Sequence, residues 1–452
     1  MGADRHSWDS PARSLRFLIS TGFAAIASAA EPPVAFPGAE GHGRFARGGR
    51  GGDVYAVTNL NDDGPGSLRD AIGAGHRTVV FRLSGTIDLK SDLVIAKSNI
   101  TLAGQTAPGD GICLRKYPLR IDGANDVIVR FLRVRPGDEA KKPLDGIEVR
   151  NARSVILDHC SVSWSLDEGI NTWHGAKQVT IQWCLISEGL NRNIHYAPHG
   201  FGASWGGENC SYHHNLFAHC TARNPSVAGN AREHTVAMDH RCSVIYNWEH
   251  RTCDGKPDSI NVVNNYYKPG PATRANVRRR LVRIDDTKSR YGFESVWFIE
   301  GNAIEGAPEL TADNWKGGVE FEGNTNERVN RRTTPFPFAP VTTQPAADVY
   351  RLVLRGVGAR LPKLDAHDAR ILREVETGTA TFGNGIIDAQ TQVGGWPELK
   401  SAPAPADADN DGMPDAWERS RGLNPGDPSD RNKVAGGGYT QLEHYLNSLV
   451  KL

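Results

Sequence analysis

The feature of this chain that most constrains its fold is a short β-rich motif that recurs along it. Each clear copy is a strand of about six residues that ends in Cys or Asn. The clear copies are Val155–Cys160, Val179–Cys184, Cys210–Asn215, Cys242–Asn247 and Ile260–Asn265, and looser copies lie at Ile100–Gln105 and Val127–Leu132. Repetition of one strand at intervals of roughly 20 to 35 residues is typical of a solenoid in which each repeat is one coil.

This repeat predicts an all-β chain folded as a parallel β-helix. Stacked strands lie about 4.8 Å apart, so a side chain at a turn lies above its copy in the next coil. An asparagine in such a column satisfies backbone groups at the bend, and we expect this of Asn215, Asn247 and Asn265. A β-sandwich would instead show paired strands joined by tight Asn-Gly or Asp-Gly turns.

The first thirty residues have the pattern of a secretory signal peptide. Arg13 and Arg16 precede an apolar stretch over residues 17–27, and small residues follow up to Ala30. These are the basic, apolar and cleavage segments of such a peptide. We therefore predict that residues 1–30 are removed and that the protein is secreted, to the outside of the cell or to the periplasm. The alternative is a disordered or membrane-surface N-terminus.

Export would permit disulfide bonds, but the chain has seven cysteines. At least one thiol therefore stays unpaired, or the cysteines form no disulfide framework. In the predicted stack Cys160 lies above Cys184, and Cys210 lies above Cys242. Such positions are compatible with disulfide geometry and equally with a column of buried thiols.

The charge balance limits the partners of the protein. Its 452 residues include 52 Lys and Arg and 52 Asp and Glu, so the formal net charge is zero. A broad nucleic-acid-binding surface is therefore disfavoured. No apolar run reaches the roughly 18 to 20 residues of a transmembrane helix. We expect a monomer that binds neither nucleic acid nor membrane.

The C-terminal part predicts a small calcium-binding module. Residues 365–376 read as a helix, residues 401–406 as a Pro/Ala linker, and residues 407–452 as the module. Acids occupy positions 1, 3, 5, 9 and 12 of the loop 407–418, and Gly412 at position 6 permits a sharp turn. The predicted structural Ca²⁺ ligands, between short helices at 414–421 and 439–449, are Asp407, Asp409, Asp411, Asp415 and Glu418. The alternative is an acidic, solvated linker.

Five ordered motifs lie between residues 36 and 225. They are Phe36–Gly41, Val57–Asp62 with Gly64–Arg69, Ala103–Gly109, Leu157–Trp164 and His213–Phe217. Together they resemble the pectate lyase superfamily, polysaccharide lyase family 1, and in particular its secreted bacterial pectate lyases. The resemblance extends over about residues 36–397, and we predict a lyase domain over residues 31–400. The loop at 407–418 is similar to the calcium loops of EF-hands and thrombospondin type 3 repeats.

The resemblance implies a right-handed parallel β-helix that cleaves pectate (polygalacturonate), or a related uronate polymer, by calcium-assisted β-elimination. The C5 proton beside the uronate carboxylate is removed, and the glycosidic oxygen leaves from C4. Because that proton is weakly acidic, a cation must neutralise the growing charge and a base must face C5. The implied cofactor is Ca²⁺, and the implied partner is an acidic polysaccharide.

Carried over residue by residue, the resemblance implies a catalytic calcium site. Asp145 lies thirteen residues before Asp158, as the family's first calcium carboxylate does, and Asp167 matches the first acid of its next calcium motif. Asn171 stands where that motif has a second Asp, and Glu168 is an acid beside Asp167. We expect Asp145 and Asp167, helped by Glu168 or Asn171, to hold the ion with the substrate. Carboxylates that cap turns are the alternative.

Arg223 corresponds to the family's proton-abstracting arginine. A guanidinium is normally charged, so a base role requires unusual surroundings. Its spacing is equally consistent with an arginine that binds a substrate carboxylate through two nitrogens.

The chain departs from the family pattern at two places. Ser226 and Ala228 stand where further arginines are usual, and residues 191–200 contain no lysine where a substrate-binding lysine is usual. The candidate substrate ligands that replace these groups are Arg192, His195, His199 and Arg232. The departures leave two other hypotheses open, a non-catalytic uronan-binding β-helix and a glycoside hydrolase with converging carboxylates. The segment Ala222–Pro225 favours the lyase.

Overall fold

The computed structural model describes Met1, residues 31–194 and residues 198–451. Residues 33–452 form one compact unit. The predicted signal peptide lies outside the described residues except for Met1. In the described ranges, no helix combines the length and apolar character needed to cross a bilayer.

Short strands follow one another along most of the described chain. In chain order they are β1 Asp53–Val57, β2 Arg77–Phe81, β3 Gly85–Asp88, β4 Leu93–Ile95, β5 Ile100–Ala103, β6 Ile112–Arg115, β7 Leu119–Asp122, β8 Asn125–Arg130, β9 Arg133–Arg135, β10 Ile147–Arg150, β11 Arg153–Asp158, β12 Ser161–Ser163, β13 Glu168–Thr172, β14 Lys177–Gln182, β15 Leu185–Ser187, β16 Phe201–Trp205, β17 Glu208–His213, β18 Leu216–Ala218, β19 Ser226–Val227, β20 Val236–Arg241, β21 Val244–Tyr246, β22 Cys253–Gly255, β23 Ser259–Val263, β24 Tyr266–Lys268, β25 Val282–Ile284, β26 Val296–Glu300, β27 Ala303–Ile304 and β28 Val319–Phe321. The helices are α1 Leu68–Ala71, α2 Thr287–Tyr291, α3 Pro308–Ala312, α4 Glu327–Asn330, α5 Ala346–Gly356, α6 Ala366–Thr377, α7 Asp415–Arg421 and α8 Gln441–Ser448.

The strands form three long sheets. Sheet A has the order β1-β2-β5-β8-β11-β14-β17-β20-β23-β26, sheet B has β27-β24-β21-β18-β15-β12-β9-β6-β3, and sheet C has β28-β25-β22-β19-β16-β13-β10-β7-β4. Neighbouring strands within each sheet are parallel. Each central coil therefore contributes one strand to each sheet, and the predicted parallel β-helix is confirmed.

Apolar side chains of equivalent strands stack in the interior of the solenoid. Val127 lies opposite Val155, and Val155 lies opposite Val179. All three are fully buried. Burial of one such side chain stabilises the fold by about 1.5–3 kcal/mol relative to exposure, and the column repeats this from coil to coil.

One predicted copy of the repeat, Cys242–Asn247, is wrong. Cys210 lies opposite Met238, and Met238 lies opposite Ile260. The equivalent copy is therefore Met238–Ser243. The dipeptide Cys-Ser occurs at both residues 210–211 and 242–243, but the inward apolar position determines which strands stack.

Asparagines satisfy backbone groups at one corner of the solenoid. Asn215 Oδ1 accepts a hydrogen bond from the Cys184 N–H at 2.9 Å, and Asn265 Oδ1 accepts one from the Ser243 N–H at 2.9 Å. The prediction is confirmed for Asn215 and Asn265. Asn247 also satisfies a backbone group, since its Oδ1 accepts a hydrogen bond from the Ala272 N–H at 2.7 Å. It follows β21 at a different corner, however, so its predicted place in this column is wrong.

All seven cysteines are free and buried. Cys160 does lie above Cys184, with its backbone N–H donating to the Cys184 Sγ at 3.4 Å. The predicted stack of Cys210 on Cys242 is wrong, because Met238 occupies that place. The cysteines therefore follow the buried-thiol alternative.

Two helices cover the outer face of sheet B. The helix predicted over residues 365–376 is confirmed as α6, and its Ile371 and Val375 are buried in a cluster that includes Leu216 of β18. On the same helix Glu374 pairs with the buried His219, whose Nε2 lies 2.8 Å from the carboxylate. Sequence reasoning missed α5, which also belongs to this cluster.

Candidate active site

The outward column of sheet C carries polar side chains from coil to coil. The strand register places them side by side in the order Arg120, Glu148, Asn171, Ser204, Ser226, Asp254 and Arg283. Their neighbours along the strands, such as Ile147 and Val149, are fully buried in the interior. Alternation along a strand therefore creates a continuous polar stripe on this outer face.

Three carboxylates meet at the start of β13, beside this stripe. Oxygens of Asp145, Asp167 and Glu168 all lie within 4.8 Å of one another. Asp145 accepts hydrogen bonds from the Glu168 backbone N–H at 2.9 Å and from Asn171 Nδ2 at 3.1 Å. Asp145 and Glu168 are buried, whereas the Asp167 side chain is 32% exposed. Asp167 therefore forms the part of the group that faces solvent.

The group concentrates negative charge. Burial, together with the charges of Glu148 and Asp167, raises the pKa of Asp145 well above its ordinary value. Closely spaced oxygen ligands of this kind suit a hard divalent cation such as Ca²⁺. Asp145 also caps a turn through its bond to the Glu168 N–H, as the alternative predicts, and its role as a calcium ligand stays a prediction.

Arg223 reaches the same place from the turn before β19, two coils further on. Its guanidinium forms an ion pair with Glu168 and lies 4.1 Å from the centre of the Phe201 ring. Its backbone has φ 55°, in the left-handed region that non-glycine residues rarely occupy. Burial lowers the pKa of Arg223 from its ordinary value. The structure thus brings one guanidinium against the carboxylates on one face of the solenoid.

The other predicted substrate ligands lie at different places. His199 lies beside the cluster, with its Nε2 4.0 Å from Asp167 Oδ1. Arg192 is exposed in the same loop, where its backbone N–H donates to Asp388 Oδ1 at 2.9 Å. His195 lies outside the described residues. Arg232 is exposed on the turn after β19, and the described contacts do not join its side chain to the cluster.

Comparison with known proteins shows the family of this chain. No family model matches the chain. The probable pectate lyase C of Aspergillus fumigatus is 33% identical over 432 residues, which cover 94% of this chain and 96% of that protein. The probable pectate lyase C of Emericella nidulans is 34% identical over 423 residues, which cover 92% and 93%. The chain belongs to the pectate lyase family. It is accordingly an enzyme of the polysaccharide lyase type.

A solved structure shares the fold of this chain. Jun a 1, the major allergen from cedar pollen, matches 71% of this chain and 92% of its own, with a TM-score of 0.54 and 17% identity. At this identity the likeness concerns the fold alone. The two curated relatives described above are fungal, and the predicted likeness to bacterial pectate lyases stays a prediction.

Sequence reasoning missed a second arginine of this pectate lyase face. Arg251 lies one coil beyond Arg223, and its carbonyl accepts a hydrogen bond from Asn224 Nδ2 at 2.9 Å. Its guanidinium is paired with Asp254 and is 29% exposed. The strand register identifies Arg251, because the turn before β22 lies one coil beyond the turn before β19.

The predicted C-terminal ligands form a second acidic group. Oxygens of Asp407, Asp409 and Asp411 lie within 4.8 Å of one another, and Asp411 also belongs to a group with Glu418 and Asp430. Burial and neighbouring carboxylates raise the pKa of Asp411 and that of Glu418 to about 7 each.

The composition of these acidic groups differs from the prediction at two residues. Asp415 lies outside both groups, because its carboxylate accepts from the Ala408 N–H at 2.8 Å and pairs with Arg419 at 3.1 Å. Sequence reasoning missed Asp430, which stands beyond the twelve-residue loop.

Proposed function

We propose that this enzyme cleaves polygalacturonate, or a related uronate polymer, by β-elimination on the polar stripe of sheet C. Such a reaction needs a positive group at the uronate carboxylate and a base at C5 of the same ring. The observation that carries the proposal is the meeting of Arg223 with the carboxylates of Asp145, Asp167 and Glu168 on one face.

Ca²⁺ is the proposed cofactor of this site. Asp145, Asp167 and Glu168, with the amide of Asn171, would hold it, and their all-oxygen donor set fits a hard cation. When bound, the ion supplies the positive charge that neutralises the uronate carboxylate during proton loss. Asn171 and the Glu168 N–H orient Asp145, while Asp167 remains open to the polymer.

Arg223 is the proposed base that takes the C5 proton. Its position against Phe201 removes water from one side of the guanidinium, and its ion pair with Glu168 orients it. The competing role is that Arg223 stays charged and binds a uronate carboxylate. Substitution by lysine retains the positive charge at this position. A lysine variant that binds the polymer but cleaves it slowly would therefore assign proton abstraction to Arg223.

The neighbouring cationic groups are proposed to bind adjacent uronate units. Arg251 lies one coil beyond Arg223, and His199 lies beside Asp167. Arg192 remains a candidate from the same loop as His199. These groups would take the place of the lysine and arginines that are usual in the family.

A hydrolase on the same face has less support. Retaining glycosidases hold two carboxyl groups about 5–5.5 Å apart, and inverting enzymes hold them about 6.5–9.5 Å apart, on either side of the bond. Here three carboxylates approach one another within 4.8 Å, with a guanidinium against one of them. This spacing suits a shared cation better than a scissile bond.

The decisive experiment is an assay on a panel of uronans, with calcium and with a chelator. Wild-type protein should release unsaturated uronate ends, seen by ultraviolet absorbance, only with calcium. Arg223→Lys should bind polygalacturonate but cleave it far more slowly, whereas Arg153→Ala, on the exposed end of a sheet A strand, should match wild type. New reducing ends without ultraviolet absorbance would establish a hydrolase, and binding without cleavage of any uronan would establish a binding protein.

We also propose that the protein is secreted after removal of residues 1–30 and that it acts as a monomer. The basic and apolar segments of the N-terminus support the first proposal. The domain limits at 31–400 and 407–452, joined by the linker 401–406, are part of the same proposal. N-terminal sequencing of the exported protein and its mass in solution test these points.

A further inference from the structure

The C-terminal module carries carboxylates that the proposed reaction does not use. The module packs on the outer face of sheet A, where Met413 and Leu442 share a buried cluster with Val80 and Ala103. The active site lies on sheet C. The acidic groups come from three segments, namely the loop 407–411, helix α7 and the short turn that begins at Asp430.

In Asp411 and Asp430, a backbone N–H holds one carboxylate oxygen, and the opposite oxygen has no donor. The Met413 N–H donates to Asp411 Oδ1 at 2.8 Å, and the Asn424 N–H donates to Asp430 Oδ2 at 3.0 Å. In the described part of the chain, the buried oxygens of this group that have no hydrogen-bond partner are Asp409 Oδ2, Asp411 Oδ2, Glu418 Oε1 and Oε2, and Asp430 Oδ1. Buried oxygens without donors are costly, so a further group is expected to satisfy them.

The group is strongly negative, and three of its five carboxylates are buried. Asp411 is 1% exposed, and Glu418 and Asp430 are each 0% exposed. Among the described ion pairs of this group, Arg82 lies 3.3 Å from Asp407, and the exposed Lys433 lies 3.9 Å from Asp430. Two positive side chains thus face five carboxylates.

The spacing within each acidic group matches the ligand spacing of a calcium ion. Calcium lies about 2.3–2.6 Å from its oxygen ligands, so ligands on opposite sides of the ion are about 5 Å apart. Both acidic groups fall within 4.8 Å and share Asp411. Oxygen-only ligands and the left-handed turn at Gly412, φ 90°, are also features of calcium loops.

We propose that one Ca²⁺ ion binds here and fastens the C-terminal module to the first coils of the solenoid. The ligands are Asp407, Asp409, Asp411, Glu418 and Asp430. Asp430 thereby takes the place that the loop spacing predicted for Asp415. The site is independent of the lyase reaction.

The ligands come from two parts of the module, and each part contacts the solenoid separately. The first part holds Asp411 and Glu418 and places Met413 against sheet A. The second part holds Asp430 and continues into α8, where Glu443 pairs with Arg50 at 2.7 Å. An ion between Glu418 and Asp430 fixes the two parts to each other and so keeps both contacts with the solenoid in place.

The test is the calcium dependence of thermal unfolding of the full chain. Calcium should raise the unfolding midpoint of wild-type protein by at least about 3 °C over protein in chelator, because an ion that binds only the folded state stabilises it. Asp430→Asn should lose most of this shift, and the neutral variant Asp409→Asn should lose part of it. Asp415→Asn is the matched control from the same loop and should keep the shift.

A second measurement keeps the test valid if Asp430→Asn does not fold. Terbium luminescence, excited through tryptophan, should respond to the site because Trp417 is next to Glu418 in the chain. The signal should be present in Asp167→Asn, which is altered only in the proposed catalytic site, and reduced in Asp409→Asn. An equal signal in Asp409→Asn and wild type, or equal loss of the calcium shift in Asp415→Asn and Asp430→Asn, would overturn the proposal.

Lyase activity separates this proposal from the proposed function. At a temperature well below unfolding and with excess calcium, Asp430→Asn should cleave polygalacturonate at the wild-type rate. If wild type shows no lyase activity while Asp430→Asn loses the thermal shift, the proposed function fails and the structural site stands. If lyase activity is present but calcium does not move the midpoint of wild type, the structural site fails.

Discussion

The two acidic groups of this protein differ in what surrounds them. At the candidate active site, Asp167 is partly exposed and a guanidinium contacts Glu168. In the C-terminal module, Glu418 and Asp430 are closed from solvent, and oxygens remain without donors. The first arrangement leaves room for a polymer and a base. The second is proposed to hold a small ion, so that similar residues would serve turnover in one place and stability in the other.

The largest effect should follow from removing the guanidinium, the group that distinguishes the active site. Arg223→Lys should lower the rate of cleavage by about 10³-fold, because a general base contributes about 10²–10⁴-fold. The measurement is the initial rate of unsaturated-end formation at saturating polygalacturonate. A rate close to wild type, with an increased KM, would show that Arg223 binds substrate and that the base lies elsewhere.

The two groups should also respond differently to loss of one carboxylate. Asp167→Asn should raise the calcium concentration needed for half-maximal cleavage by about 100-fold, since a charged ligand is lost from an open site. Asp430→Asn should leave this concentration unchanged. Calcium titrations of activity on both variants test this. Equal shifts in the calcium concentration for half-maximal cleavage would show that the two acidic groups do not differ in this way.

Glu374 provides a reference for a buried carboxylate that the chain itself neutralises. Although burial raises its pKa, contacts with His219, the Thr381 N–H and Arg370 outweigh this and lower the pKa of Glu374 to about 2. Its contribution to stability is therefore fully present above the unfolded value of about 4.5 and is lost as the pH falls toward 2.

Removing this charge should destabilise the protein with or without calcium. Glu374→Gln should lower the free energy of unfolding by about 2 kcal/mol at pH 7, less than the loss of a whole buried pair because the amide still accepts hydrogen bonds. Denaturant unfolding in chelator and in calcium measures this. A loss of unfolding free energy that depends on calcium would show that Glu374 is not independent of the metal.

The smallest effect concerns the second arginine of the open site. Arg251→Ala should raise the KM for polygalacturonate by about tenfold and change kcat little, because one uronate contact is lost. Arg274, which is exposed and paired with Glu249, offers the control Arg274→Ala. The measurement is steady-state kinetics, and the same KM for both variants would show that Arg251 does not bind the substrate.

The sequence predicted the solenoid because a repeat of apolar strands has a clear physical cause. Val155 and Val179 fill the same interior position, and this similarity is visible in the letters. The copy at Cys242–Asn247 failed because shared polar letters hid the inward Met238. Strand stacking was therefore predictable where the buried positions were apolar and less so where they varied.

The candidate sites were predictable only in part, for a similar reason. Resemblance located Asp145, Asp167 and Arg223, which the structure brings together, although their roles remain proposals. Asp430 and Arg251 were missed because each joins its group through the packing of a later segment. No local spacing marks such residues, and they become visible once the coils are stacked.

The state of the cysteines has a consequence for how the chain matures. Burial raises the pKa of the Cys113 thiol and of the Cys210 thiol to about 11, so the reactive thiolate is scarce at neutral pH. None of the seven sulfurs is paired with another, and each is covered by the fold. We therefore expect maturation to require neither an oxidant nor a disulfide isomerase.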